Sequence, residues 1–213
     1  MWLSWSRNLR LIFAARTAGR RSFRRVVRLA MLYQDLDNQM EVFRRKSKIK
    51  CFKGCGRCCE NSFVETTVLE MIPLAAELWR RNRAEEWLQK DVGEHKRGVC
   101  PFYAPDPQIK GNGRCTIYPL RPLICRMFAF SGRRDKSGQK VYVTCERIKA
   151  EAAALYDEVS RSFDVKQPPL MGNFSSRRES IAGETDGQLY PLPVAVKKAI
   201  MRVGFDRQIK NMC

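Results

Sequence analysis

Apolar residues recur at helical spacing just before the first cysteine. Leu36, Met40 and Phe43 are separated by four and three residues, which places them on one face of a helix. This pattern predicts a helix over residues 33–47. Residues 1–32 mix tryptophan, leucine, isoleucine, phenylalanine and valine with arginines, a mixture that is typical of a basic amphipathic helix.

The segment after the first cysteine cluster carries a helix start signal. Thr67 followed by Glu70 has the form of a capping box, and apolar residues continue at helical spacing as far as Trp79. Pro73 conflicts with this helix because an interior proline removes a backbone hydrogen bond. We therefore expect the helix to start later or to kink there. A second helix is predicted over residues 83–96.

The middle of the chain combines turn-rich and helix-forming segments. Residues 98–126 are rich in proline and glycine and are predicted as loop with short helical turns. Residues 127–145 show the alternation of a β-hairpin, with the turn from Gly132 to Gly138. Residues 146–162 contain strong helix formers and predict a helix.

The C-terminal part contains prolines that interrupt helical patterns. Four of them lie in residues 164–193, which favours an arm or a linker. A short final helix is predicted over residues 194–203.

The chain has 213 residues and is strongly basic, with 40 lysines and arginines against 22 acidic residues and a net charge of +18. Residues 1–50 hold +10 of this charge, and no acidic residue precedes Asp35. A hydrophobic content of 44% permits a packed core and excludes a wholly disordered chain. No stretch reaches the roughly 20 consecutive apolar residues of a membrane-spanning helix. The excess of base indicates an anionic partner: nucleic acid, a membrane surface or an acidic protein.

The arginine-rich N-terminus has two interpretations. One is contact with nucleic acid or anionic lipid, and the other is a solvated helix face or a targeting-like tail. We favour the second, because no surface with interleaved aromatic residues can be placed there. The apolar run at residues 11–15 is shorter than the roughly 7–15 residues of a secretory signal core. We therefore expect a cytoplasmic protein, or an organelle matrix protein if residues 1–30 are a transit peptide.

The first four cysteines fall within nine residues, in the sequence Cys51-Phe-Lys-Gly-Cys55-Gly-Arg-Cys58-Cys59. Thiols this close converge only if the backbone turns tightly, which the two glycines between them permit. The two-residue gap between Cys55 and Cys58 is typical of zinc and iron–sulfur ligands. Because consecutive side chains tend to diverge, Cys58 and Cys59 predict two metals, a cluster, or one residue that is not a ligand.

Four further cysteines follow, at Cys100, Cys115, Cys125 and Cys145. The eight thiols suffice for two four-cysteine sites or for iron–sulfur chemistry, and their spacing does not pair them into sites. In the expected reducing compartment, metal ligation is a better interpretation of the thiols than disulfides. Structural metal binding is favoured over redox or catalytic use.

Three of these motifs occur in the order found in a known family. The Cys51–Cys59 cluster, then Cys100-Pro-Phe, then Cys115-Thr-Ile-Tyr-Pro-Leu-Arg-Pro-Leu-Ile-Cys125-Arg resemble the YkgJ-like cysteine-cluster family over roughly residues 35–150. The resemblance implies a zinc- or iron-chelating domain with these candidate ligands: Cys51, Cys55, Cys58, Cys59, Cys100, Cys115, Cys125 and Cys145. Cys145 matches less closely, since Glu146 stands where Pro-Gly often follows. A related cluster in flagellin lysine methylases implies an enzyme alternative, although no methyl-donor motif is visible.

Other polar residues near the cysteines receive weaker interpretations. Arg121 and Arg126 flank Cys125 and either compensate the charge of thiolates or are surface arginines. His95 is the only histidine; it lies among charged residues and is expected to be exposed. Cys213, the last residue, is expected to be a free thiol.

These patterns predict a mainly α single domain with a small β-hairpin, irregular, cysteine-rich and stapled by metal, with flanking arms. The expected division is a basic N-terminal extension (1–32), a cysteine-cluster metal-binding domain (33–162) and a proline-containing C-terminal arm with a short helix (163–213). The predicted function is binding of zinc or iron, with an iron–sulfur cluster as one form. The alternatives are a protein-modifying enzyme and a zinc-stapled nucleic-acid-binding protein.

Overall fold

A computed structural model of the chain describes residues 2–60, 63–90 and 98–212. Helices account for 64% of the structure, which confirms the predicted mainly α single domain. In chain order the helices are α1 (Trp2–Ala14), α2 (Arg20–Ser47), α3 (Arg57–Glu60), α4 (Val68–Arg80), α5 (Ala84–Gln89), α6 (Leu123–Met127), α7 (Glu146–Glu151), α8 (Ala153–Arg161), α9 (Phe163–Lys166), α10 (Met171–Gly187) and α11 (Leu192–Met212). Short 3₁₀ turns occupy Ala15–Thr17 and Tyr118–Leu120.

The strands are β1 (Glu65–Thr67), β2 (Tyr103–Pro105), β3 (Gly113–Cys115), β4 (Ser131–Arg134), β5 (Lys140–Val143) and β6 (Leu189–Pro191). Within the described ranges they form three two-stranded antiparallel sheets, which pair β1 with β6, β2 with β3 and β4 with β5. The β4–β5 pair is the predicted hairpin, with Gly138 at φ 84° in its turn. The turn is shorter than predicted, because Gly132 pairs with Tyr142 in the sheet and the turn begins only at Asp135. The β2–β3 pair lies in the segment that was predicted as loop.

Helix α4 is the centre of the core. Ten of its 13 residues are buried, because α1, α2, α10 and α11 pack around it. The predicted capping box is present: Glu70 N donates to Thr67 Oγ1 at 3.3 Å, and Thr67 N donates to Glu70 Oε2 at 3.2 Å. The helix starts at Val68 and continues through Pro73, so the later start expected from this proline does not occur. Burial of apolar side chains around Pro73 offsets the backbone hydrogen bond lost there.

The N-terminal residues differ from the predicted arm, because their helices pack into this core. Helix α2 begins at Arg20 rather than at residue 33, and Val26 and Leu29 are fully buried in it. Leu11 of α1 is also fully buried, and α1 packs against α2 and α4. The apolar positions between the arginines therefore form an inward face. Helix α2 crosses the expected boundary between residues 32 and 33, and the three-part division of the chain stays a prediction.

The C-terminal residues also differ from the predicted arm or linker, since they contain α10 and a long α11. Pro168 and Pro169 precede α10, and Pro193 lies in the first turn of α11, where a missing N–H breaks no helical bond. Helix α10 bends at Gly183, whose φ is 66°. Helix α11 extends well beyond the predicted residues 194–203 and packs along α4.

Two other helices have bounds that differ from those predicted. The helix predicted over 83–96 is α5, which ends at Gln89, and residues 91–97 lie outside the described part of the chain. The helix predicted over 146–162 is divided into α7 and α8 at Ala152, whose φ is −134°. Across the described ranges, no helix is both long enough and apolar enough to cross a bilayer.

Candidate metal centre

The first cysteine segment curls tightly, as its glycines predict. Gly54 has φ 72°, a left-handed conformation that favours glycine. A Cβ at Gly56 would collide with the ring of Tyr103, so this position requires glycine because β2 approaches closely. Helix α3 then carries the adjacent residues Cys58 and Cys59.

Backbone hydrogen bonds hold this first segment against the later cysteines. Gly113 N donates to Gly54 O at 2.8 Å, and Cys100 N donates to Cys59 O at 2.7 Å. Cys115 is the last residue of strand β3, which contains Gly113. Cysteine segments that are far apart in sequence therefore meet at one place.

Five thiols lie together near Arg121, and we call them the Arg121 group: Cys58, Cys59, Cys100, Cys115 and Cys125. The sulfurs of Cys58 and Cys59 are 4.0 Å apart. Neighbouring sulfurs in a tetrahedral site with metal–sulfur bonds of about 2.3 Å are about 3.8 Å apart. The two adjacent thiols therefore lie close together in α3 instead of diverging. That they serve two metals or a cluster, or that one of them is not a ligand, stays a prediction.

Hydrogen bonds within the Arg121 group give its thiols different pKa values. Bonds with Cys100 and Cys58 raise the pKa of Cys59 far above its ordinary value. The bond to Cys59 lowers the pKa of Cys58 to about 6, with help from the charge of Arg121, and lowers the pKa of Cys100 to about 7. Burial raises the pKa of Cys125 to about 12. Cys58 and Cys100 are therefore biased toward thiolate, the form that binds metal.

The remaining three thiols form a second group beside Arg147, and we call them the Arg147 group: Cys51, Cys55 and Cys145. Arg147 hydrogen-bonds to Cys55, and its guanidinium carbon lies 4.2 Å from the ring centroid of Phe52. Cys145 precedes α7, and its Sγ accepts a hydrogen bond from Ile148 N at 3.4 Å. Burial raises the pKa of Cys51, and the neighbouring thiols Cys55, Cys58 and Cys145 raise it further. Cys58, a member of the Arg121 group, therefore also lies close to the Arg147 group.

The two groups supply the donors of a thiolate metal centre. Within the described ranges, no three Cys, His, Asp or Glu side chains are arranged to hold an ion, so thiols must turn toward an ion to ligate it. In the same part of the chain, Arg121 Nε is buried without a hydrogen-bond partner, which is unfavourable for a donor. A metal-bound thiolate is an acceptor for such a donor. The donor set and this N–H group therefore fit a thiolate-bound metal.

Arg126 has a different environment from Arg121. Its Nη2 donates to Pro119 O at 2.7 Å, and its Nε donates to Arg121 O at 2.9 Å. Its guanidinium carbon lies 4.2 Å from the ring centroid of Tyr33. Arg126 therefore holds the backbone of the loop that leads to Cys125.

Comparison with known proteins bears on this arrangement of thiols. Residues 50–146 match the model of the CxxCxxCC family, which is described as "Putative zinc- or iron-chelating domain". This segment, slightly less than half of the chain, is similar to the CxxCxxCC family. It is the YkgJ-like family, so the resemblance stated from the motifs is confirmed, and the match supports a zinc- or iron-chelating function. Neither the curated proteins nor the solved structures compared with the chain give a match.

All eight cysteines of the two groups lie within the CxxCxxCC segment, and all eight are free thiols. The segment also contains Glu70, which accepts hydrogen bonds from Leu123 N and from the hydroxyl of Tyr33. Tyr33 and Arg178, which lies 3.5 Å from the Glu70 carboxylate, are outside it. Sequence reasoning identified Glu70 only as a capping residue, because its other partners come from distant helices. His95 and Cys213 lie outside the described residues.

Proposed function

We propose that this chain binds zinc or iron at two neighbouring centres, one in the Arg121 group and one in the Arg147 group. The observation that supports this proposal is the collection of eight free thiols from separate segments around two arginines. Cys58 adjoins both groups and is the thiol best placed to serve either centre. A metal bound by thiolates would staple together loops that have few helical contacts of their own.

The chain's own residues prepare the thiols for a metal. The single S–H of Cys59 can be donated to Cys58 or to Cys100 and favours their thiolates, and Arg121 supplies positive charge beside Cys58. Binding releases the remaining thiol protons, so affinity falls in acid. When bound, metal would supply cross-links among the segments that carry the cysteines.

The identity of the metal is tested by purifying the protein without oxygen. Bound zinc and iron, acid-labile sulfide and visible absorption are then measured on the same sample. One or two zinc ions support structural centres, and iron with sulfide supports a cluster in the Arg121 group. No metal, with the thiols oxidised in pairs, overturns the proposal.

The division into two centres is tested with paired serine variants. C115S/C125S should lose the metal of the Arg121 group and keep that of the Arg147 group, whereas C51S/C145S should do the reverse. C213S is the matched control, since Cys213 belongs to neither group, and it should bind as much metal as the original chain. Loss of all metal from both paired variants would show one shared centre instead.

We further propose a cytoplasmic protein, because a reducing compartment keeps eight thiols available for metal. The packed helix α1 supports this over a removable transit segment. The protein-modifying enzyme and the nucleic-acid-binding alternatives have no specific support from the site.

A further inference from the structure

Helix α11 exposes a stripe of large apolar side chains. Met201, Phe205 and Ile209 follow one another at four-residue spacing, so they lie along one face of the helix. They are 54%, 59% and 46% exposed. A single exposed apolar residue is ordinary, but three in a row on one helix face suggest an interaction surface.

This stripe lies beside the turn that joins α1 and α2. Asp206, next to Phe205, accepts hydrogen bonds from Gly19 N at 3.0 Å and from the hydroxyl of Ser22 at 3.1 Å. The α1 side of the same turn exposes Phe13, which is 54% exposed, with the Arg16 guanidinium carbon 4.2 Å from its ring centroid. Apolar side chains from two helices are therefore presented at the same end of the molecule.

The helices that present these apolar side chains are basic. No acidic residue precedes Asp35, and α11 contains a single acid, Asp206, which is engaged by Gly19 and Ser22. Helix α11 itself carries five lysines and arginines. The exposed arginines of α1, of the turn and of the N-terminal half of α2 include Arg10, Arg16, Arg20, Arg21, Arg24 and Arg28.

We infer that this end of the molecule docks onto an anionic lipid membrane. Exposed apolar side chains among arginines are the composition of surfaces that lie in the headgroup region of bilayers. The anionic headgroups attract the arginines, and the acyl boundary buries the apolar side chains. Nucleic acid fits less well, because a phosphate backbone offers no apolar environment for Met201 and Ile209. The inference is independent of the metal centres, since none of these residues belongs to the CxxCxxCC segment that holds the eight cysteines.

Vesicle flotation tests this inference with phosphatidylcholine vesicles that contain about 30% phosphatidylserine and with pure phosphatidylcholine vesicles. The full chain should float with the anionic vesicles and not with the neutral ones. The F205E/I209E variant should lose about tenfold or more in vesicle affinity, and R20E/R21E should lose a similar amount and respond less to salt. V165E is the matched control, because Val165 of α9 is 68% exposed and lies outside the surface.

Failure of the full chain to bind anionic vesicles, or equal binding by F205E/I209E and V165E, overturns the inference. Binding of an RNA homopolymer without vesicle binding also overturns it in favour of nucleic acid, and a dimer that F205E/I209E abolishes does so in favour of a second copy. Thermal midpoints and metal content of each variant are measured in parallel. Unchanged values show that a loss of flotation reflects the surface rather than the fold or the metal centres.

Discussion

Leu123 donates its backbone N–H to Glu70 Oε1 across 2.6 Å, and this bond joins the central helix α4 to α6, which carries Cys125. The same carboxylate accepts from the hydroxyl of Tyr33 at 2.7 Å and lies 3.5 Å from Arg178 Nη1. Glu70 is only 1% exposed, so donors from α2, α6 and α10 must satisfy its charge. The position of Cys125 therefore depends on helices outside the matched family segment.

Replacing Glu70 should test this dependence. E70A leaves the Leu123 N–H and the Tyr33 hydroxyl without an acceptor, and it leaves the buried Arg178 charge with only the exposed carboxylate of Glu179 as an ion-pair partner. We expect the free energy of unfolding to fall by about 3–5 kcal/mol. Urea denaturation measures the change. E86A is the control, since Glu86 makes exposed ion pairs with Arg83 and Lys90, and a loss in E86A as large as in E70A would contradict this account.

Two leucines of α1 test whether the N-terminal helix is part of the fold. Leu11 is fully buried, whereas Leu9 is 36% exposed. L11A should lower the free energy of unfolding by about 2–5 kcal/mol, because it leaves a cavity between packed helices, and L9A should change it much less. Equal, small effects in thermal or chemical denaturation would mean that α1 is not held in the core.

Features of this fold that arise from local sequence patterns were predicted, whereas features that depend on packing between distant residues were not. The capping box at Thr67 and the β4–β5 hairpin were predicted correctly because both are local patterns. The start of α2 was missed because arginines surround Val26 and Leu29 in the sequence, and only the packing against α1 and α4 reveals their inward face. Prolines such as Pro193 were interpreted as signs of an arm, although they lie where helices begin.

The eight cysteines could be found from the sequence, but their grouping could not. Cys59 and Cys100 are joined by a backbone hydrogen bond between segments far apart in the chain, and nothing local encodes such a contact. The roles of the two arginines beside Cys125 were likewise undecided. The structure places Arg121 beside the thiols and engages Arg126 with backbone carbonyls.

Arg121 is expected to strengthen metal binding without being a ligand. In R121Q the thiolates lose a neighbouring positive charge and the buried Nε–H that is available to a metal-bound thiolate. Metal affinity should fall by about 10–100-fold, with the number of bound ions unchanged, and metal should be released at a higher pH. Competition with a chromogenic chelator measures this. R114Q is the control, since Arg114 is exposed beside Cys115, and equal affinity in R121Q and R114Q would show that Arg121 is only a surface residue.

Glu77 should make stability depend on pH in the acid range. Hydrogen bonds from Arg80 and then Arg81 lower the pKa of Glu77 to about 2, against about 4.3 in an unfolded chain. The depressed pKa means that the stabilisation is fully present above about 4.3 and disappears as the pH falls toward 2. It is small, because the two arginines are mostly exposed. Thermal midpoints of E77Q and the original chain should differ at pH 7 and converge near pH 2; a constant difference would contradict this.

Removing the metal should loosen the cysteine loops and leave the helical core folded. The core is formed by α1, α2, α4 and α11, and its buried residues include Leu29, Leu69 and Val203, none of which belongs to a cysteine loop. Metal binding stabilises mainly the segments that supply the ligands, which here include residues 51–60 and 98–126. Treatment with a chelator should therefore keep most of the helical circular dichroism while amide hydrogen exchange becomes faster in these two segments. Exchange that accelerates equally in α4 would mean that the metal supports the whole fold, as it does in zinc fingers.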